Sequence, residues 1–389
     1  MVKRRPVVDR PAILAAVFIL LAACAYKLPE AQVLKIFERH SYKEHDPELL
    51  KSLLREKGAA GLKSEDRYAQ VVSSARQVRI SQVRPGPSAG MLVGARGGGY
   101  YLLRVFKGSP AEAAGLRDGD RLLAVNSAAP GSAGFLGALS GAPDLKIRAA
   151  RATRNGISEL EAEVKSGEFS PPPVFGLYEP VTRTAFVRIG LFVENSAAVA
   201  AAGIAALEKF GARNIIIDLR GNKGGSPFEA AALLKLFAAK PGPVMAVNSR
   251  HKGYSEVFEA AARGRFAGLR AAVLTDRYTA MAGEVFAASL KEIAGAAVIG
   301  GKTAGNVSIQ RTFSLGDGRG LRLTVARIAP PSGTDLEEAG LAPDIPVETA
   351  AGPAWASLPA DALIKDAACQ RALEILSGKT AVDKSSNGS

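Results

Sequence analysis

Apolar residues recur every three or four positions between Ala31 and Ser74, in IFERH, DPELLKSLLREKG and SEDRYAQVVSSA, and this spacing predicts short helices. From Gly90 the period changes. GMLVGARGGGYYLLRVF reads as two strands across a glycine-rich tip at Gly97–Gly99, followed by a short helix at Pro110–Ala114. The turn LRDGD leads into a further strand, LLAVN. LKIRAARATRNGISELEAEV adds two strands across Asn155–Gly156, a strong hairpin signal because both residues tolerate positive φ. SGEFSPPPVFG, Ser166–Gly176, is proline-rich and reads as a linker.

Beyond the linker, strand and helix patterns alternate. AFVRIGLF is a strand and SAAVAAAGIAALEKFG a helix; NIIIDLRGNKGG is a buried strand entering a glycine-rich turn, followed by the helix SPFEAAALLKLFAAK. VMAVNS, AAVLTD with a helix opening after it, AAVIGG and the β-rich RTFSLGDGRGLRLTVARIAPP complete an α/β core that LAPDIPV closes. KTAVDKSSNGS at the C-terminus is polar and reads as disordered. The expected organisation is a leader over 1–24, a helical segment over 25–80, a β-rich domain over 85–166, a linker over 167–180, an α/β domain over 181–350, and a C-terminal helix with a disordered tail over 351–389.

A hydrophobic content of 47% with 22% charged residues excludes a disordered chain. The net charge of +13 is high; losing Lys3, Arg4, Arg5, Asp9 and Arg10 with a leader leaves about +10. A basic surface could serve nucleic acid, acidic lipid or an anionic wall polymer. No zinc-finger spacing and no basic stretch interleaved with aromatics is present, so no nucleic-acid partner is expected and the charge reads as a solvated surface near a membrane.

MVKRRPVVDR is basic, PAILAAVFIL is apolar, and LAAC follows at Leu21–Cys24. The apolar run is short for a membrane span of about 20 residues. LAAC resembles the bacterial lipobox, which implies lipidation of Cys24 and a lipoprotein facing the periplasm or the cell exterior. The alternative is an uncleaved N-terminal anchor with an incidental cysteine; both export the chain. Only Cys369 then remains, so no intrachain disulfide is expected. His40 and His45 lack a metal-ligand pattern such as HExxH and read as surface residues, as does His251 in NSRHKGYSE, which leaves no Ser-His-Asp triad. IGGKTAG contains the tail of a phosphate-binding loop. That motif needs a glycine at 296, where Ala296 stands, and NVSIQRTF after it reads as strand, so no nucleotide or other cofactor is expected.

Two family resemblances follow. GSPAEAAGLRDGDRLLAVN looks like a PDZ domain of the bacterial protease-associated kind, with Gly90, Met91, Leu92 and Val93 at its carboxylate-binding loop. That resemblance implies capture of protein or peptide C-termini by strand addition. Taken in order, FVRIGLFVENS, IIIDLRGNKGG, LTDRYTAMAGE, GGKTAGNVSIQ, PSGTDLEEAG and LAPDIPV resemble the C-terminal processing peptidases, or tail-specific proteases. The resemblance covers nearly the whole chain after the leader and implies a ClpP/crotonase-like α/β core preceded by a β-rich PDZ domain and an N-terminal helical segment.

In that family a serine attacks the peptide carbonyl and a lysine, held neutral by burial, takes its proton. Against the family's S-A-S-A-S-E block, Thr279–Glu284 places Met281 at the nucleophile. Against its G-K-G-[ST]-V-Q block, Gly305–Gln310 places Asn306 at the lysine, and the 25-residue step matches the family spacing. Gln310 matches the residue that orients the dyad. Gly224 and Gly225 match the turn that supplies one oxyanion N–H, with Ala282 supplying the other. A thioether cannot lose a proton to become a nucleophile, and a neutral amide is no base near pH 7. Thr279 and Lys302 are near enough in sequence to be considered as substitutes, but a displacement of about an ångström already costs catalysis heavily. The expectation is a catalytically inactive homologue that binds C-termini or extended segments of envelope proteins. The alternative is an active serine-type endopeptidase using non-standard residues.

Overall fold

The computed structural model describes residues 28–73, 87–96, 99–106, 108–130, 132, 135, 144–153, 156–165, 167–168, 174–348 and 366–378. The leader with Cys24, Gly97 and Gly98, Asn155, most of the proline-rich linker and the C-terminal tail lie outside the described residues. In chain order the elements are α1 (Glu30–His40), α2 (Pro47–Lys57), β1 (Gln70–Ser73), β2 (Pro87–Ser88), β3 (Met91–Arg96), β4 (Gly99–Val105), α3 (Pro110–Ala113), β5 (Arg121–Val125), β6 (Asp144–Thr153), β7 (Gly156–Lys165), β8 (Gly167–Glu168), β9 (Val174–Glu179), β10 (Thr184–Ile189), α4 (Ser196–Lys209), β11 (Asn214–Asp218) and α5 (Pro227–Lys235). They continue with β12 (Gly242–Asn248), β13 (Glu256–Ala260), β14 (Arg270–Thr275), α6 (Ala282–Ala294), β15 (Ala297–Gly300), β16 (Ser308–Ser314), β17 (Arg319–Ala329), β18 (Ile345–Pro346) and α7 (Ala367–Leu376). Among the described residues no helix is long and apolar enough to cross a membrane.

The chain divides into two compact units. The first joins Met1–Gln82 with Ser249–His251 and Ile309–Ala326. Asp46 caps α2 by accepting the Glu48 N–H, Pro47 opens the helix, and Gly58 ends it at φ +56°. Val33, Ile36, Phe37, Leu50 and Leu62 are buried here. QVVS, expected within a helix, is instead β1, paired antiparallel with β17 from Gln70↔Arg322 to Ser73↔Arg319. Two adjacent valines suit a strand once a partner edge is available, and that partner lies some 250 residues away.

The surface reading of the histidines needs correction. The His45 side chain is 4% exposed. Its ring bonds Ser41 Oγ at 2.7 Å and Glu65 at 2.9 Å and meets Phe37 edge-on. His40 stacks on Phe313 with centroids 4.1 Å apart, and His251 is half-buried. Burial, with His251, Arg39 and Arg311 nearby, lowers the pKa of His40.

The second unit joins Val83–Asn248, Lys252–Ser308 and Arg327–Ser389. Its larger sheet runs β18-β15-β14-β11-β10-β9, parallel except for β9, which pairs antiparallel with β10. Every residue of β10 and β11 is buried, as expected of parallel strands covered on both faces. Leu177, Phe186, Ile216, Leu274 and Ile299 meet Ala368, Cys369, Ala372 and Leu376 of α7. The linker boundary is corrected: Val174–Glu179, placed in the proline-rich stretch, forms the edge strand β9. The prolines at 171–173 obscure its apolar run because they signal a break just before it.

A separate sheet, β3-β4-β5-β6-β7, is antiparallel throughout and encloses Val93, Leu102, Leu122, Val125, Phe135 and Ile147. The LRDGD turn is held by its two aspartates. Asp118 accepts the Val105 N–H at 2.6 Å, and buried Asp120 takes a two-pronged bond from Arg151 at 2.7 Å. Gly90 turns at φ +68°, whereas Met91, Leu92 and Val93 already belong to β3, so only the first of these four residues lies outside the strand.

Candidate functional site

β11 and β14 are adjacent parallel strands, and both end in turns at their carboxyl ends, where open α/β sheets gather their ligands. The first turn follows Asp218 through Leu219–Gly225. Asn222 organises it: its amide donates to Ile189 O at 2.8 Å, its side-chain oxygen accepts the Gly224 N–H at 2.7 Å, and its carbonyl accepts the Ala280 N–H at 2.9 Å. The second turn, Asp276–Met281, wraps around one carboxylate oxygen. Asp276 Oδ1 accepts N–H groups from Gly221, Tyr278 and Thr279 at 2.9–3.0 Å, joining the two turns.

Thr279 is fully buried, its hydroxyl lying 2.9 Å from Leu219 O and 3.0 Å from Asp276 Oδ1 while accepting the Asp276 N–H. Its single proton is already committed, so Thr279 is a structural residue. Lys302 is exposed.

Met281 sits at the start of α6 with φ +51° and ψ −126°, a conformation that strains any residue other than glycine. Its N–H donates to Asn306 O at 2.7 Å, so the two positions expected to hold nucleophile and base are in direct contact. Asn306 lies in a loop suspended from Glu284 of α6. Glu284 accepts from Thr303 Oγ1 at 2.5 Å, Gly305 N at 3.0 Å and Asn306 N at 3.2 Å. Burial pushes the Glu284 carboxyl up, and these donors pull it back toward the ionised form. Asn306 Oδ1 is buried without a hydrogen-bond partner among the described residues. Gln310 lies half-buried on β16, in the first unit, whereas Met281 and Asn306 lie in the second.

The two glycines of the first turn are required by space. A Cβ on Gly224 would collide with Met281 Cβ and lie 2.9 Å from Ala282 N; one on Gly225 would overlap the Phe192 carbonyl. Both have φ near +100°. Their N–H groups differ. That of Gly224 is spent on Asn222, while those of Gly225 and Ala282 have no acceptor among the described residues. Gly225 therefore replaces the Gly224–Gly225 pair as the available donor of this turn, and Ala282 adds the N–H of a helix start, where partial positive charge accumulates.

Residues 183–347 match the family model described as peptidase family S41. The chain carries a peptidase family S41 domain. It is 28% identical over 269 residues to the carboxy-terminal processing protease CtpB of Bacillus subtilis, covering 67% of this chain and 55% of that protein. It is 30% identical over 275 residues to CtpA of the same organism, covering 69% and 57%. With the carboxyl-terminal-processing protease of Synechocystis the identity is 30% over 298 residues, covering 72% and 66%. The matched region thus spans little more than half the length of the two Bacillus relatives. Among solved structures, the photosystem II D1 C-terminal processing protease superposes with a TM-score of 0.50 at 21% identity, covering 82% of this chain and 93% of that one. This likeness establishes the fold.

Sequence reasoning missed the groups that hold the S41 site together: Asn222, Asp276, Glu284 and Arg220. Their signal was present as polar residues inside otherwise apolar or glycine-rich runs. Arg220 is 2% exposed, pairs with Asp218 through two bonds of 3.0 Å, and reaches Asp366 at the start of α7 at 2.8 Å. Asp366 in turn accepts the Ala368 and Cys369 N–H groups, and Arg270 donates to Leu376 O at the other end of α7. The glycine-rich turn and the C-terminal helix therefore share one guanidinium. Burial raises the pKa of the nearby Cys369 thiol and keeps it a thiol. Asp366→Ala is expected to cost about 1.5–3 kcal/mol in a urea titration, because it removes a charge-assisted bond and a helix cap together. A loss under about 0.5 kcal/mol would show that α7 is held by its apolar face alone.

Proposed function

We propose that the protein is a non-cleaving S41 homologue that holds C-terminal tails or extended segments of cell-envelope proteins. The observation that carries this reading is the Met281–Asn306 contact: the positions aligned with nucleophile and base touch, yet neither side chain can ionise usefully near neutral pH. The Gly225 and Ala282 N–H groups, without acceptors among the described residues, support retention of an oxygen-binding pair without the chemistry that uses it. The antiparallel sheet β3–β7 supports a PDZ-type module, with the Gly90 turn and β3 taking the tail, and Cys24 would anchor the chain by a lipid.

The names of the relatives favour a second reading, an active endopeptidase with a non-standard dyad. The soluble chain lacking residues 1–24, incubated with an unstructured protein bearing an apolar C-terminus, is expected to leave it intact over days. Turnover abolished by Lys302→Ala would establish the second reading. Peptides ending in a free carboxylate are expected to bind at least about tenfold more tightly than their amides, since charge-assisted bonds to the carboxylate contribute about 1.5–3 kcal/mol. Equal affinities in a calorimetric titration would remove the tail-binding assignment.

A further inference from the structure

β13 pairs with β12 from Gly242↔Ala260 to Val247↔Glu256, and its other edge carries no strand among the described residues. Its side chains alternate across the sheet, Phe258 and Ala260 buried, Val257 and Glu259 exposed, so Val257 and Phe258 lie on opposite faces. Phe228, in the first turn of α5, meets Phe258 edge-on with centroids 5.4 Å apart, which places it beside the face opposite Val257. Phe228 is 60% exposed and Val257 57%. The unpaired edge is therefore flanked by a large exposed apolar side chain on each face.

An added strand continues both faces of a sheet. Its alternate side chains would fall beside Val257 on one face and Phe228 on the other, and its backbone would satisfy the open N–H and C=O groups of β13. Glu256 and Glu259 are exposed on this strand and make no ion pair among the described residues, on a chain whose net charge is +13. Phe228 also stands three residues beyond Gly225, whose N–H has no acceptor among the described residues, so one flank of the edge is close in the chain to that donor.

We propose that the free edge of β13 takes up, by strand addition, an extended peptide segment with alternating apolar residues and a lysine or arginine that meets Glu256 or Glu259. This extends the binding role proposed above by naming where the S41 domain receives an extended segment and what chemistry it selects. It does not depend on capture of a terminal carboxylate. A second copy of the chain is the competing occupant, and the exposed glutamates work against it because charges on a strand edge blunt self-pairing.

The test uses a fluorescein-labelled, C-terminally amidated peptide of alternating valine and lysine, titrated with the soluble chain and followed by anisotropy. Phe228→Ala with Val257→Thr is expected to weaken binding about three- to fivefold, because the row of valines loses its apolar neighbour on whichever face it lies. Val181→Ser, at a site 89% exposed on the turn between β9 and β10, is expected to leave binding unchanged. Replacing lysine by glutamate in the peptide should weaken it about as much as the paired substitution. All three surface changes lie outside the core, and matching thermal midpoints would confirm folding. The proposal is overturned if the wild-type chain shows no saturable binding, or if the paired variant binds as well as the parent. It is also overturned if sedimentation shows a dimer that the paired variant dissolves, which would assign the edge to a second copy. The amidated probe separates this outcome from the tail-binding test: loss of carboxylate preference there leaves this binding intact.

Discussion

Met281→Ser combined with Asn306→Lys is expected to create proteolysis at least about a thousandfold above the background of the parent chain. Nucleophile and base act as a unit, and losing either one costs about as much as losing both, roughly a millionfold in serine peptidases. Each single substitution should therefore recover little. The geometry favours restoration. The Met281 backbone already holds positive φ at the start of α6, its N–H touches Asn306 O, and the Gly225 and Ala282 N–H groups have no acceptor among the described residues. The introduced amine must lose its proton, and the carboxylate of Glu284, bonded to the Asn306 N–H, works against that. The activity of the double variant is accordingly expected to rise on the alkaline side of neutrality. Absence of any gain across that range, in a variant shown to be folded, would contradict the placement of the dyad at these two positions.

Arg220→Met is expected to destabilise the second unit by about 3–5 kcal/mol, the usual cost of leaving a buried carboxylate without its partner. Asp218 is fully buried and holds Arg220 through two bonds, and the same guanidinium reaches Asp366. Arg188, opposite Asp218 in the β10–β11 register, offers partial compensation. Burial, aided by the charge of Arg220, draws its pKa down to about 10, so removal of Arg220 leaves Arg188 more comfortable beside Asp218. The effect should therefore fall toward the lower end of that range. A shift below about 1 kcal/mol in denaturant would show that Arg188 takes over the pairing.

The α/β core was legible because buried parallel strands are continuous apolar runs, as in NIIID and AAVLT, and need no long-range information to be recognised. β1 and β9 were not. QVVS follows a helical stretch and VFGLYE follows three prolines, so local pattern favoured helix in one case and linker in the other; the deciding partners are β17 and β10. β13 was missed for a similar reason: EVFEA alternates over only five residues, beside a polar stretch that reads as loop.

For the candidate site, block order and spacing, which are properties of the chain, are what place the expected nucleophile and base at Met281 and Asn306. They also marked both glycines of the first turn. Only the tertiary structure decided which donors remain available. Gly224 and Gly225 are identical residues side by side, yet Asn222 consumes the N–H of one while the other has no acceptor among the described residues. The same holds for Thr279, whose hydroxyl looks reactive in sequence and is committed to Leu219 and Asp276 in the fold. A residue's type sets what it can donate or accept; whether that capacity is already spent depends on neighbours brought from other strands, and only folding brings them together.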